Sequence, residues 1–424
     1  MTKISPARRL AFDTLLLWEQ GDFQTHLEDI FNKIVPDDIS PRDRHFAYAL
    51  VLGVVRQSTL VWSLISPFWH GIDPLPRETR IILQLAIYQL LFLGQIASYA
   101  VLNEAVELTK KTTPRFAGAV NAMLRNFLKA RQEKKLPALD SLTPDVRYSH
   151  PLRLVNFLRN NVPVGKLEQI LRWHNKVPRQ YARLRKPLEE FSEELQAVLE
   201  PQEGFANAVE CMDTALVLSS PEFKAGDLYL MQIWSIMISQ IPPLKDGDIV
   251  ADVCAAPGGK SLALLDRANI KLSACDISPS RLIRSRENLA RLGWEEGENL
   301  ELRLIDATKA TEYLPKETYD LVLLDAPCSS LGTIQRNPEL RWRFRPEELE
   351  TRAKLQQLLI EGSAPLVKPG GHLLYSVCSF AIKEREAAFY LANDPDWELV
   401  TERVTYPGEE ERFDGGYYAL LRRK

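Results

Sequence analysis

Cysteine and histidine are scarce in this sequence, with five and six among 424 residues. No two of Cys211, Cys254, Cys275, Cys328 and Cys378 have zinc-ligand spacing, and the histidines do not cluster with them. A metal site is therefore not expected. An apolar leader is also missing from the opening MTKISPARRLAFDTLL. With an odd thiol count, that argues for free thiols and a cytoplasmic protein. There is no internal repeat and no low-complexity tract. Net charge is only −3, so composition gives no global sign of a polyanionic partner. One long uncharged run exists, residues 81–102. Gln84, Gln89 and Gln95 interrupt it. Three amides are costly in lipid, so the run predicts two buried helical segments rather than a membrane span. What remains is ordinary: 45% hydrophobic and 26% charged residues, in a chain long enough for two or three domains.

The texture changes along the chain. In residues 1–135 apolar positions recur at three and four spacing, as in Phe46, Leu50 and Val54, with prolines between the runs. This predicts an all-helical first domain. Residues 136–145 (LPALDSLTPD) read as a linker and 146–232 as a mixed α/β subdomain. Within 233–424, short apolar runs at 248–255, 272–275, 302–305, 319–325 and 372–378 alternate with helical stretches such as 279–292 and 346–366. That rhythm predicts an α/β domain with a mostly parallel sheet and ligands at the strands' carboxyl ends.

Charge is segregated although the total is small. Residues 147–186 carry ten basic side chains and one acid, Glu168, whereas 188–222 carry nine acids and no Lys or Arg. A basic stretch of this kind suits nucleic-acid phosphates. A second candidate is Arg336, Arg341, Trp342, Arg343, Phe344 and Arg345, where arginines and aromatic groups interleave as stacking and phosphate contacts require. The plain alternative for both is a solvated basic surface.

The chemistry-bearing residues fall at predicted strand ends. The first strand runs into Cys254-Ala255-Ala256-Pro257-Gly258-Gly259-Lys260. Its glycines allow a ligand close to the backbone at a helix start. A phosphate-binding P-loop would need glycine where Cys254 stands. Asp276 ends the second strand, about twenty residues on, where an acid can accept from ribose hydroxyls. Asp306 ends the third and Asp325 the fourth. Each alone is explained by a helix cap, with Ser278 and Thr308 as rival caps. The three together point to a nucleoside pocket. Cys328 follows in Asp325-Ala-Pro-Cys328, and Cys378 closes the fifth strand in Tyr375-Ser-Val-Cys378.

Two thiols beside such a pocket suit one reaction in particular. Carbon 5 of cytosine is a poor nucleophile. A thiolate added at carbon 6 makes the ring an enamine, and carbon 5 then accepts a methyl group. A carboxyl near N3, the role open to Asp325, stabilises the adduct. Lys260 or a helix terminus would lower the thiol pKa. The base must leave its stack to enter.

These residues resemble the RNA cytosine-C5 methyltransferase family, and within it the bacterial small-subunit rRNA members of the Sun/Fmu type. The likeness runs nearly end to end: Asp252–Lys260, Asp325–Trp342 around Cys328, Asp414–Ala419, and a helical first domain with Val120–Arg125 that resembles an RNA-binding NusB-like domain. The resemblance implies S-adenosylmethionine as cofactor, held by 254–260, Asp276, Asp306 and Asp325. It implies Cys378 as nucleophile, Cys328 as the residue assisting product release, small-subunit (16S) rRNA as substrate, and a Rossmann-like catalytic domain. In DNA cytosine-C5 methyltransferases the nucleophile is the cysteine after proline, here Cys328. Amino-group methyltransferases carry an aromatic there. The chain departs from the family pattern at Val377 (usually Thr), Arg385 (usually Asn), Ile233 (usually an acid), Arg183-Leu-Arg185 and Gly416. Those departures motivate one rival reading, an RNA-binding ribosome assembly factor with an inactive catalytic domain; a DNA cytosine-C5 methyltransferase is the other.

Overall fold

The computed structural model describes residues 4–205 and 207–424. The chain divides into two compact units: residues 1–176 with 334–344, and residues 177–333 with 345–424.

The first unit is helical. Its helices are α1 (Pro6–Gln20), α2 (Leu27–Ile34), α3 (Pro41–Ile65), α4 (Arg77–Phe92), α5 (Ser98–Thr112), α6 (Ala117–Gln132), α7 (Pro144–Arg147), α8 (Leu152–Asn161) and α9 (Lys166–Trp173). Local sequence sets several boundaries. Ser5 and Ser40 cap α1 and α3 through their hydroxyls, each followed by proline at the first helical position. The uncharged run 81–102 forms α4 and the start of α5, as two helical segments. Among the described residues one helical stretch, Pro41–Phe68, is long and apolar enough to cross a membrane. Its Leu50, Val51, Val61 and Ile65 are buried in the unit's own core.

The second unit holds two sheets. A small antiparallel one has the order β2-β3-β1-β4, from β1 (Tyr181–Leu184), β2 (Leu199–Pro201), β3 (Ala208–Cys211) and β4 (Leu228–Leu230). Short helices α10 (Glu193–Gln196), α11 (Thr214–Ser219) and α12 (Pro221–Ala225) connect its strands, and α13 (Ile233–Gln240) follows. The large sheet has the order β10-β11-β9-β8-β5-β6-β7. Its parallel part is β5 (Ile249–Asp252), β6 (Lys271–Asp276), β7 (Leu300–Leu304), β8 (Tyr319–Asp325) and β9 (Val367–Val377). Helices α14 (Gly259–Leu265), α15 (Pro279–Arg291) and α17 (Glu348–Ser363) lie between these strands in sequence; α16 (Leu340–Arg343) belongs to the helical unit. After α18 (Glu386–Ala392), β10 (Trp397–Thr405) and β11 (Gly416–Arg423) complete the sheet antiparallel. All five expected strands are present. Strand order reverses beside β5, which pairs with β6 on one side and β8 on the other. That is where such sheets open a crevice for ligands.

Three expectations need correction. The helical unit does not end at a linker over 136–145: it continues to Lys176, so the mixed subdomain expected over 146–232 is divided between the units. The basic stretch is also less open than its sequence implies. Arg147, Arg172, Arg179, Arg183, Arg185 and Lys186 all lie within ion-pair distance of carboxylates. Most of these acids, such as Asp140, Asp227 and Asp266, lie outside the stretch. Third, Arg341 does not line a surface. It is fully buried, and its guanidinium donates to the carbonyls of Arg56, Ser149 and His174 and to Asn175 Oδ1. Phe344 is buried as well. The segment 334–344 is thus a clasp on the helical unit, because buried carbonyls need a donor and a guanidinium supplies five.

Candidate active site

The site is built from the carboxyl ends of β5, β6, β8 and β9. Leaving β5, the chain turns through Cys254–Gly258 into α14. Gly258 has φ +98°, a left-handed conformation that disfavours any side chain. The turn is tied down from β6: Ala255 N donates to Cys275 O at 2.7 Å, and Ala256 N to Asp276 Oδ2 at 3.3 Å. Asp276 Oδ1 accepts from Ser278 N at 2.9 Å, and Arg281 donates to Ala256 O at 2.7 Å. Below the turn, buried Asp252 bonds Ser261 Oγ at 2.6 Å. Burial there, against the Ser261 hydrogen bond, pushes its carboxyl up to about 7.

A cavity of about 320 Å³ opens over these strand ends. Asp276, Asp306, Asp325, Cys328 and Cys378 all contribute to its wall. Apolar neighbours Ile277, Ile305 and Leu355 complete a surface suited to a flat heterocycle. Of the expected glycine-turn residues, Cys254 and Ala256 reach the wall. Ala255 is buried, Pro257 is exposed, and Gly258 and Gly259 shape the helix start. Lys260 acts at the site through Asp325: its Nζ lies 2.6 Å from Asp325 Oδ2. Burial opposes the Lys260 charge, but Asp325 outweighs it and the net shift is upward. Ser376 Oγ donates to the other oxygen, Asp325 Oδ1, at 2.6 Å. Asp306 itself caps the turn after β7, accepting from Thr308 N and Oγ1. Thr308, the rival cap in the sequence, is its donor. Ser278 does cap α15.

The two strand-end thiols meet. Cys328 Sγ and Cys378 Sγ are 3.1 Å apart, and Cys378 Sγ lies 3.4 Å from Ser330 Oγ. Electrostatics separates them from the other cysteines. Burial pushes Cys211 and Cys275 up to about 12, and raises Cys254 as well. Cys378 alone is lowered. The Cys328 hydrogen bond is the main cause, opposed by burial and aided by Ser330 and by Lys260. Cys328 moves the opposite way, raised by its bond to Cys378 and by burial. Of the two thiols, Cys378 is therefore the one the site favours as thiolate, with Cys328 placed to hydrogen-bond it.

Sequence reasoning missed the groups that hold this arrangement. Glu384, fully buried, accepts from Ser329 N at 2.7 Å, Ser329 Oγ at 2.5 Å and Gln356 Nε2 at 3.2 Å. Gln356 also donates to Pro327 O, and Arg352 to Cys328 O. Gly332 N donates to Cys378 O at 3.0 Å. A Cβ on Gly332 would fall 1.6 Å from Gly415 O, so this position admits glycine alone. The departure at Val377 looks different in three dimensions. Val377 is fully buried in the apolar core, on the face opposite Ser376, and the hydroxyl beside the thiol is that of Ser330. Among the described residues no group of three or more His, Cys, Asp or Glu is placed to hold a metal ion.

Fold and cavity together define a Rossmann-like methyltransferase joined to a helical domain. The family model for "16S rRNA methyltransferase RsmB/F" matches residues 240–417, and that for the NusB family matches residues 5–129. Ribosomal RNA small subunit methyltransferase B of Vibrio cholerae is 31% identical over 405 residues, 90% of either chain. The probable ribosomal RNA small subunit methyltransferase B of a Synechocystis strain is 30% identical over 430 residues, 98% of this chain and 96% of its own. The crystal structure of PH0851 superposes with TM-score 0.77 at 24% identity over the whole of both chains. That of NSun6 from Pyrococcus horikoshii with SFG gives 0.55 at 18%, covering 64% of this chain and 98% of its own. The chain belongs to the RsmB/F methyltransferase family, with a NusB-type domain ahead of the catalytic one. Its cofactor is S-adenosylmethionine.

Proposed function

We propose that this protein is a cytoplasmic enzyme that methylates carbon 5 of a cytosine in small-subunit (16S) rRNA, at a cytosine-967-type site by family resemblance. The observation that carries the reading is the lowered Cys378 thiol, 3.1 Å from a second thiol on the wall of the cofactor cavity. Asp276, Asp306, Asp325 and the Cys254–Lys260 turn would hold S-adenosylmethionine, which supplies the methyl group when bound.

The chain's own groups account for the remaining chemistry. Cys378 Sγ adds to carbon 6 of the flipped cytosine, forming an S–C bond and moving the ring's electron pair toward carbon 5. The Asp325 side, with Lys260 and Ser376 fixing both carboxylate oxygens, orients the N3 edge of the ring. Once carbon 5 carries the methyl group, its proton passes to water, the C–H electron pair restores the C5–C6 double bond, and the S–C6 bond breaks to return Cys378 as a thiolate. Cys328 assists that release from beside the leaving sulfur.

Nucleoside mass spectrometry tests the reading. Unmodified small-subunit rRNA, and the particle containing it, are incubated with S-adenosylmethionine and either wild type or Cys378→Ala. The expected result is 5-methylcytosine with wild type only. A wild-type protein that binds cofactor yet makes no 5-methylcytosine on either substrate overturns it.

A further inference from the structure

A second cavity lies wholly within the helical unit. At about 430 Å³ it is larger than the cofactor cavity and within the roughly 300–1,000 Å³ typical of ligand sites. Its wall comes from α1, the turn after it, α3, α4, and Trp342 of the inserted segment.

Four aromatic rings contribute: Trp18, Phe23, Trp62 and Trp342. Phe23 stands edge-on to Trp18 at 4.7 Å and lies 6.3 Å from Trp342, tilted by 33°. The turn that presents Phe23 is left-handed at two consecutive side-chain-bearing residues, Asp22 at φ +50° and Phe23 at φ +63°. Such strain persists only where surrounding contacts impose it, and it gathers at ligand clamps. Charge stands at one side. Arg77 Nε and Arg80 Nη2 each lie 3.6 Å from Glu19 Oε2, longer than a hydrogen bond, and both arginine side chains are more than 40% exposed.

Flat rings beside half-exposed guanidinium groups match the two faces of a nucleotide. Glu19 and the amide of Gln84 supply polar groups for a base edge. We infer that this cavity seats one unstacked nucleotide of the RNA substrate, its base among the aromatic rings and its phosphate on Arg77 and Arg80. This rests on the rRNA reading above and adds a second, non-reacting contact to it. An apolar protein segment is the competing occupant, and the arginine pair weighs against it.

The test uses the full chain and a small-subunit rRNA fragment that the wild type methylates. Ser58→Trp fills the cavity from α3 without removing a ring. The double variant Arg77→Ala/Arg80→Ala removes the phosphate donors from exposed positions and keeps the experiment decisive should Ser58→Trp fail to fold. Each is expected to raise the dissociation constant for RNA at least about tenfold, as loss of one stacked or phosphate-anchored nucleotide would. S-adenosylmethionine affinity should stay unchanged. Ultraviolet crosslinking of the wild type should place a nucleotide on the peptide carrying Phe23, Trp62 or Trp342. Unchanged RNA affinity in the folded variants, with crosslinks elsewhere, overturns the inference and leaves the methyltransferase reading standing. So does a defect seen only on a protein-containing particle and not on naked RNA, which would mark a protein occupant. A wild type that neither binds nor methylates rRNA overturns both.

Discussion

Cys328 and Cys378 lie fifty residues apart in the chain and 3.1 Å apart at their sulfurs. The sheet makes the meeting: β8 and β9 are parallel neighbours, with Asp325 opposite Ser376, so the residues just past each strand share one end. If Cys378 carries the cytosine, Cys328 is within reach of the leaving sulfur. Cys328→Ala should therefore accumulate a covalent protein–RNA adduct, seen as a band shifted on a denaturing gel after incubation with cofactor. Because the Cys328 bond is the main cause of the lowered Cys378 thiol, the adduct should form fastest at alkaline pH. Normal turnover with no shifted band would remove Cys328 from the release step.

Cys378 Sγ donates to Ser330 Oγ, 3.4 Å away in the loop that carries Cys328, and once the thiol ionises that hydroxyl turns to donate to it. A hydroxyl aimed at a thiolate favours the charged form. Its loss in Ser330→Ala should raise the Cys378 pKa. The rate depends on thiolate, so the rising limb of kcat/KM against pH should move to higher pH. At high pH the variant should approach wild-type activity. A limb that does not move would show that the Ser330 contact has no bearing on thiol ionisation.

Glu384 positions without touching the reacting atoms. It ties the Ser329 backbone and hydroxyl to the turn just before α18, while Gln356 bridges it to Pro327 O. Glu384→Ala removes the acceptors of the Ser329 N–H, the Ser329 hydroxyl and the Gln356 amide. The Cys328 loop should shift, and misplacement by about 1 Å can cost roughly a hundredfold in rate. The expected signature is a fall of about ten- to a hundredfold in kcat with the KM for S-adenosylmethionine unchanged. A matching loss of cofactor affinity would instead mark general unfolding of the site.

Much of this was legible in the sequence because it is local. The five strands, the turn at Gly258 and the two strand-end cysteines follow from apolar runs and from glycine, and the chain folds them as read. The long-range partnerships were not. Nothing near Arg183 or Arg185 in sequence announces Asp266, and the basic stretch looked like a phosphate face for that reason. Arg341 lies in a run that reads as solvated, yet it is buried against carbonyls contributed by residues 56 to 174, since no pattern of types reveals a backbone acceptor. Val377 was weighed as the neighbour of a thiol, whereas strand alternation turns it into the core. Glu384 had a signal, being one of the glutamates after the nucleophile, but its partners sit on two other segments.

The clasp around Arg341 carries the last prediction. His150 Nδ1 lies 2.6 Å from Tyr148 O, and a carbonyl only accepts, so that nitrogen holds the proton. His150 Nε2 must then accept from His174 Nδ1, 3.1 Å away. Both rings are neutral and fully buried, and their pKa values are depressed, first by burial and next by the Arg341 guanidinium. A proton added to His150 would set two N–H groups head to head. In the unfolded chain both rings titrate near the ordinary value of 6.5. The depressed folded values therefore lend stability that is complete above pH 6.5 and is lost as pH falls below it. The loss should approach about 1.4 kcal/mol per pH unit for each ring. Hydrogen exchange of α8 and α9, corrected for the intrinsic rate, should show protection falling below pH 6.5 in the wild type. The His150→Gln/His174→Gln variant should start from lower protection and lose that pH dependence. Wild-type protection that stays flat from pH 7 to pH 5 would mean that the pair does not set the acid limit of the helical unit.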